Sequence, residues 1–423
     1  GDADAMKRSD EEEAREEARD DALEGGGEAA QGDVCCAGLL GGAAEGAGAR
    51  AKHSVLFALA LLLQWVVRDY LDETLVNASP MLRDDCSGAP FQQAPGCHRV
   101  EAVLRISLAC VLFFGALALA TYNVTNVHSW RAKMHAGYFL PKLLALGALI
   151  ALALFAIPAG LANFYGHAAR IGAGLFLLMQ WLVLIKTLYA ANAFLLGAWE
   201  SYGKVVLPLV TLAAYGLAFT LVAFCFEWFA PRGGCSLNIA LTCIALLLGL
   251  SYTALSLVPK VEHAGIFTSG LLFAYLAFLT MSAMASEPAS ENCNTLNGDD
   301  STLGWREVVS FVIAIITVVV VSFNVGAQGD VFSLSNDEDE AVVTSPPDRP
   351  SYSYAFANIA VVLTTMYGTM LLLGWELHDT QGTLAVSDGW TSLWVQIISS
   401  WIGGTLYAWS LLAPLVFPDR DFS

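Results

Sequence analysis

Charged side chains are scarce in this 423-residue sequence, and the basic ones are scarcest. Charged residues make up 14% of the chain, whereas a soluble domain carries about 25%. Lys and Arg together number 21, against 39 Asp and Glu, and that balance does not favour binding to a phosphate backbone. The composition therefore excludes an ordinary soluble enzyme and a nucleic-acid-binding protein.

The sequence also lacks the common catalytic and nucleotide-binding motifs. It contains no His-Glu-x-x-His, Gly-x-Ser-x-Gly, Gly-x-x-x-x-Gly-Lys-Ser/Thr or Cys-x-x-Cys pattern. Its seven histidines are dispersed singly along the chain. We therefore expect no catalytic centre and no bound metal, nucleotide or other cofactor.

Long apolar runs are what the chain has in abundance, with 56% hydrophobic residues and a mean hydropathy of +0.56. A helix of about 20 apolar residues spans the ~30 Å core of a bilayer. Runs such as 311–321 do not alternate as barrel strands do, so the sequence predicts an all-α polytopic membrane protein. The ten predicted spans are 53–71, 100–127, 137–160, 164–199, 204–229, 237–258, 265–285, 306–325, 355–376 and 391–416.

Two acidic segments flank or interrupt this membrane domain. Residues 1–33 contain 13 acidic and 4 basic side chains, so we predict that 1–50 is a mostly disordered tail and 51–423 the membrane domain. The acidic run 337–340 predicts a flexible loop over about 326–350. An even number of spans places both termini on one side. Nine nearby basic residues on that side against seven on the other favour cytosolic termini.

Four cysteines fall in loops on the opposite, non-cytosolic side. Disulfides form in oxidising compartments, so the sequence predicts the bridges Cys86–Cys97 and Cys235–Cys293, with free thiols as the alternative. Two further cysteines precede the first span on the cytosolic side. Cys35 and Cys36 are candidates for S-palmitoylation, and unmodified thiols are the alternative.

The fourth predicted span is too long for a straight crossing. Its run from Ile171 to Trp199 is about 43 Å long as a helix, and no proline interrupts it. We expect the long helix, about 164–199, to cross diagonally and to brace two bundles. Lys186, Gln180 and Asn192 lie on it and are candidates for lining a lipid groove. For Lys186 the alternative is a side chain that reaches the membrane interface.

Several short motifs occur one after another between about Ser54 and Phe422. They are 103–108 with Phe113-Phe114, 131–142, 175–180, Ser286-Glu287-Pro288 with Cys293-Asn294, Tyr352-Ser353-Tyr354, Leu373-Gly374-Trp375, 399–414 and 418–422. Together they resemble the serine incorporator (Serinc, TDE or TMS) family, with the look of a plant or algal member. The resemblance implies ten helices in two bundles and a non-enzymatic protein that carries a bound phospholipid or sphingolipid. It would move phospholipids between leaflets without ATP and would be linked to phosphatidylserine and sphingolipid supply.

The sequence departs from the family pattern at three places. Lys186 stands where members commonly carry an acidic residue, Asn358 stands where a histidine usually follows the Tyr-Ser-Tyr motif, and the cysteine-rich N-terminus is reduced to Cys35-Cys36. Two other functions stay open, a transporter of serine or another small polar solute and a membrane scaffold without transport. We expect membrane lipids as partners, a possible homo-oligomer, and residence in the endomembrane system or plasma membrane.

Overall fold

The computed structural model describes residues 44–71, 97–198, 202–231, 234–258, 265–287, 293–294, 352–375 and 390–416, with the single positions 77, 79, 82, 86 and 350. Apart from Ala44, the helical residues described belong to one unit, Glu45–Ser423. Within these ranges the regular structure is helical and contains no strand. The predicted all-α class is therefore confirmed.

The described ranges contain ten helices. They are α1 Ala44–Tyr70, α2 Cys97–Ala120, α3 Trp130–Ala136, α4 Phe139–Ala156, α5 Ala159–Gly197, α6 Lys204–Phe229, α7 Ser236–Ser256, α8 Ile266–Ala285, α9 Tyr354–Leu372 and α10 Trp390–Val416. Eight of them, α1, α2 and α4 to α9, are long and apolar enough to cross a membrane. The predicted eighth span, 306–325, lies outside the described residues, so the count of ten spans stays a prediction.

The short helix α3 was not predicted from the sequence. The sequence predicts a single span over 100–127, whereas α2 ends at Ala120 and the chain turns at Asn123, whose φ is 52°. Ser129 then caps α3, because its side chain accepts a hydrogen bond from the backbone N–H of Ala132. Asn tolerates the left-handed conformation and Ser is a favourable N-cap, so both residues suit their positions.

Pro158 sets the boundary between α4 and α5. A proline disfavours helical backbone at the residue before it, and Ile157 is extended, with φ −85° and ψ 123°. Helix α5 begins directly afterwards and continues for 39 residues. It is about 58 Å long at 1.5 Å per residue, so it must tilt or project beyond a ~30 Å bilayer core. The diagonal crossing itself stays a prediction.

The buried side chains form a core on either side of α5. The first helix group, α1, α2, α4 and α9, shares a core that contains Phe57, Phe114 and Ile150. In the second group, α7, α8 and α10 share a core around Tyr252 and Tyr407. Helix α6 joins the second group because it packs on α8.

Helix α5 takes part in both cores. Its first half packs with α2 through Tyr165 and Ala169. Its second half packs with α7, α8 and α10 through Trp181 and Ile185. The long helix is therefore in contact with both helix groups, as a bracing helix would be.

Two glycines of α10 allow its close approach to the second group. A Cβ atom added at Gly403 would lie 2.0 Å from the ring of Trp181, and one at Gly404 would lie 2.0 Å from the hydroxyl of Tyr252. No side chain fits at such distances, so α10 packs against α5 and α7 through bare backbone.

Both predicted disulfides are present. The Cα atoms of Cys86 and Cys97 are 6.0 Å apart, and those of Cys235 and Cys293 are 5.7 Å apart. Consecutive spans alternate in direction, so these bridges share the end of the molecule where α1, α6 and α8 finish. We call it the disulfide end. The opposite end is where α1 and α4 begin and α2 finishes.

Candidate functional site

The three predicted groove residues of α5 have different surroundings. Lys186 is exposed. Gln180 is half-buried and donates from Nε2 to the hydroxyl of Tyr275 at 2.8 Å. Asn192 is buried against Gly265, where an added Cβ would lie 2.7 Å from its Oδ1. Among the residues described, no hydrogen bond joins the three, and their role in a groove stays a prediction.

Hydrogen bonds between polar side chains nevertheless recur along α5. The hydroxyl of Tyr165 lies 2.6 Å from Ser107 Oγ in α2, and that of Tyr189 lies 3.0 Å from Ser410 Oγ in α10. From residue 165 to residue 189 the helix advances about 36 Å, which is comparable with the thickness of the bilayer core. We call these residues the α5 polar row: Ser107, Tyr165, Gln180, Tyr189, Tyr275 and Ser410.

The row continues into the interior of the first helix group. Thr369 Oγ1 in α9 lies 2.7 Å from Ser107 Oγ and 2.9 Å from Gln64 Oε1 in α1. All three side chains are fully buried. Gln64 Nε2 has no hydrogen-bond partner within the described part of the chain. The amide nitrogen of Gln64 is therefore a buried donor that the described residues leave without an acceptor.

A second set of polar side chains lies around the end of α3, opposite the disulfide end. Lys142 Nζ in α4 donates to the backbone oxygen of His135 at 2.7 Å and lies 3.0 Å from His53 Nε2 in α1. Lys52 Nζ donates to the backbone oxygen of Ala136 at 3.2 Å.

A third cation lies nearby. Arg50 lies over the ring of Tyr352, 4.9 Å from its centroid. We call these residues the cationic cluster: Arg50, Lys52, His53, His135 and Lys142.

The surroundings of His135 hold its imidazole ring neutral. Nδ1 lies 3.4 Å from the amide nitrogen of Asn358 and Nε2 lies 3.0 Å from the hydroxyl of Tyr352. Because an amide nitrogen only donates, we assign Nδ1 as the acceptor and place the proton on Nε2. Burial and, to a smaller extent, Lys142 lower the pKa of His135 to about 3.

Sequence reasoning missed this cluster because its members are far apart in the chain. In the sequence, the segment 131–142 and the Tyr352-Ser353-Tyr354 motif are elements of the family pattern, and Asn358 is a departure from it. The structure places all three against one another. A signal was present, since Arg50, Lys52 and Lys142 lie in the first turns of apolar helices with no acidic residue within four positions.

Two other predicted features cannot be placed. The palmitoylation candidates Cys35 and Cys36 lie outside the described residues, as does the acidic loop over about 326–350 except for position 350.

Comparison with known proteins identifies relatives over most of the chain. The profile of a family described as serine incorporator (Serinc) matches residues 28–346 and 326–420. A probable serine incorporator of Monosiga brevicollis is 23% identical over 451 residues, covering 88% of this chain and 91% of its own. One of Nematostella vectensis is 27% identical, covering 76% and 80%, and serine incorporator 2 of Bos taurus is 28% identical, covering 77% and 79%.

Proposed function

The chain belongs to the serine incorporator family, and from this premise we propose that it binds phospholipids and moves them between leaflets without ATP and without enzymatic chemistry. The family and the eight apolar helices establish an integral membrane protein. The observation that supports the finer proposal is the α5 polar row, whose side chains form hydrogen bonds to α2, α8 and α10 at successive depths along α5. We link this transport to phosphatidylserine and sphingolipid supply.

The energetic reason lies in the cost of moving a headgroup through hydrocarbon. A polar group that loses its hydrogen bonds there costs several kcal/mol. Hydroxyl groups both donate and accept, so the half-buried pair Tyr189–Ser410 can exchange its mutual hydrogen bond for one to a passing headgroup. The pair Tyr165–Ser107 is buried and supports the helix packing instead. The acyl chains remain in the bilayer, against exposed apolar residues such as Phe164, Ile171 and Leu212.

Lys186 is placed to attract a headgroup towards the row. It lies three residues before Tyr189, and positions three apart share a helix face. Its side chain is exposed, and an ammonium at membrane depth is favourable only where it meets water, an acid or a lipid phosphate. We propose that Lys186, with Gln180 and Asn192, guides the phosphate along α5.

We place both termini in the cytosol, in the endomembrane system or the plasma membrane. The two disulfides support this orientation, because the end that carries them then faces an oxidising compartment. We further propose membrane lipids as partners, self-association into a homo-oligomer, and S-palmitoylation of Cys35 and Cys36 beside the membrane.

The proposal is tested by reconstituting the full chain in vesicles without ATP. Flipping of fluorescent phospholipids and uptake of radiolabelled serine are measured on the same preparation. Lipid flipping without serine uptake is the expected result. Serine uptake without lipid flipping indicates a solute transporter, and the absence of both indicates a scaffold; either outcome contradicts the proposal.

A further inference from the structure

The cationic cluster lies away from the α5 polar row and calls for its own explanation. We propose that it binds a phosphate group, supplied by an anionic phospholipid headgroup, at the end of the molecule opposite the disulfides. The inference rests on the proposed function in taking a lipid as the source of the phosphate. It adds two points to the proposed function: the ligand class, which is an anionic phospholipid headgroup, and a second region of the protein that contacts lipid.

The first argument is the arrangement of the two lysines. Lys142 and Lys52 donate to the adjacent carbonyl oxygens of His135 and Ala136. Their ammonium groups therefore converge on the C-terminal end of α3 from two different helices. Lys142 is 7% exposed, so at least one of the two charges is held away from water.

Capping of α3 does not account for this arrangement. A cation at a helix C-terminus contributes only a small stabilisation, even in favourable buried positions. The effective penalty for burying an unpaired charge is larger than that contribution. Because the exposed Lys52 already satisfies a terminal carbonyl, the burial of Lys142 next to it needs a further compensating charge.

No acidic side chain within the described ranges supplies that charge. Neither Lys52 nor Lys142 forms an ion pair there. The acceptors of Lys142 are a backbone carbonyl and His53 Nε2, and a nitrogen that accepts from an ammonium carries no proton itself. The ring of His135 is neutral as well. An anion from outside these residues fits the site better than any neutral ligand.

Hydrogen-bond donors remain for that anion. An ammonium group has three N–H donors, and the described contacts of Lys142 use two of them. Because His53 accepts at Nε2, its proton lies on Nδ1, which has no described partner. Both donors belong to one cluster, and phosphate oxygens accept several hydrogen bonds at once.

The depth of the cluster matches the position of a headgroup. Lys52 and His53 lie in the first turns of the span that begins at Gly48, and Lys142 lies in the first turn of the span that begins at Phe139. The phosphates of a bilayer lie at such span ends. With cytosolic termini this end faces the leaflet that carries anionic lipid.

Binding is measured on the full chain in neutral detergent, by thermal stabilisation during titration with phosphatidylserine or phosphatidylcholine micelles, and separately with inorganic phosphate. We expect stronger stabilisation by phosphatidylserine. Lys142→Met should weaken it by about ten- to a hundredfold, whereas Lys142→Arg keeps the charge and should retain it. The control Lys204→Met removes an exposed cation at the start of α6, which lies at the same end, and should change binding by less than about fivefold.

The outcomes separate the possible sources of the anion. Stabilisation by inorganic phosphate that also depends on Lys142 identifies free phosphate as sufficient, whereas stabilisation by lipid alone identifies the headgroup. Equal binding by wild type and Lys142→Met overturns the site. A variant in which the acidic residues 337–340 are neutralised is measured in the same way. If only that variant binds phosphatidylserine, the proposed site is also overturned, because the chain's own carboxylates then occupy the cationic cluster.

The same preparations separate this inference from the proposed transport. If the chain flips lipid but its lipid binding does not depend on Lys142, the proposed binding site is refuted and the proposed transport is retained. If lipid binding depends on Lys142 but the chain does not flip lipid, the proposed transport is refuted and the binding site is retained.

Discussion

The two ends of the helix bundle handle buried charge in opposite ways. At the disulfide end, Arg68 Nε lies 2.7 Å from Asp69 Oδ1, and Arg105 lies 3.6 Å from Glu101 across one helical turn. At the opposite end, Lys52 and Lys142 contact only neutral acceptors among the residues described. The two buried arginines of the first end, Arg68 and Arg105, lie beside acids of the chain, and the half-buried Arg170 there donates to a backbone oxygen. The buried Lys142 of the second end contacts only neutral acceptors among the described residues, so its charge can be offered to a ligand.

The ends also differ in how their segments are joined. Two disulfides connect loops at the first end, whereas hydrogen bonds and ring contacts hold α1, α3, α4 and α9 at the second. Covalent bridges therefore join segments at one end, whereas non-covalent contacts join the described segments at the other. The following predictions test this contrast from the largest expected effect to the smallest.

Removing one charge at each end should have unequal effects on stability. Glu101→Gln leaves Arg105, which is fully buried, beside a neutral amide, and we expect a loss of about 3–5 kcal/mol in the free energy of unfolding. Lys142→Met removes a buried charge and two hydrogen bonds, and in neutral detergent it should stay within about 1 kcal/mol of wild type. Thermal unfolding of both variants measures the difference; losses of equal size would contradict the contrast.

The disulfides should contribute according to the length of chain that each closes. Cys235–Cys293 closes 58 residues and Cys86–Cys97 closes 11, which corresponds to about 4 and about 3 kcal/mol in the chain-entropy model. The double Ser variants, compared by thermal unfolding, should follow that order. Cys243→Ser, at a thiol outside the bridges, is the matched control. Free thiols in non-reducing mass spectrometry would refute the bridges.

Acid should weaken the cationic end through His135. Its pKa is about 3 in the folded chain and 6.5 in the reference state, so the unfolded chain takes up a proton that the folded chain does not. The stabilisation is complete above pH 6.5 and is lost as the pH falls towards 3. At pH 5 this loss is about 2 kcal/mol. The pH dependence of unfolding in His135→Gln should be flatter by that amount, and identical profiles would show that His135 is not buried as a neutral ring.

Lys186 lies between the two ends and should matter for transport rather than stability. Lys186→Met keeps a good helix former and removes a charge at membrane depth, so the fold should be unchanged. Flipping of anionic phospholipids should slow more than flipping of zwitterionic ones. Fluorescent-lipid assays on both classes provide the measurement. If Lys186→Met flips both classes at the wild-type rate, Lys186 has only an interfacial role.

Much of the fold could be predicted because membrane insertion constrains sequence strongly. The apolar spans, the long uninterrupted run before Trp199, and the pairing of Cys235 with Cys293 all follow from the length and alternating direction of the spans. Helix α3 could not be predicted, because its seven residues depend on the cap at Ser129 and on a left-handed turn at Asn123. A window of about 20 apolar residues does not detect such local caps.

The cationic cluster could not be predicted for a different reason. His53, His135 and Asn358 come from three helices, and only their packing brings them together. Asn358 stands where a histidine is usual in the family pattern, and the structure shows that its amide contacts His135. Sequence spacing predicts contacts within one helix, and the direction of the spans predicts which loops share an end, but neither predicts which side chains of distant helices contact one another.

The most direct test of the contrast between the two ends is an experimental structure in nanodiscs that contain phosphatidylserine. The account predicts a phosphate group within hydrogen-bond distance of Lys142 Nζ, with none at Arg105. A carboxylate of the chain itself against Lys142, or an empty site in the presence of the lipid, would contradict it.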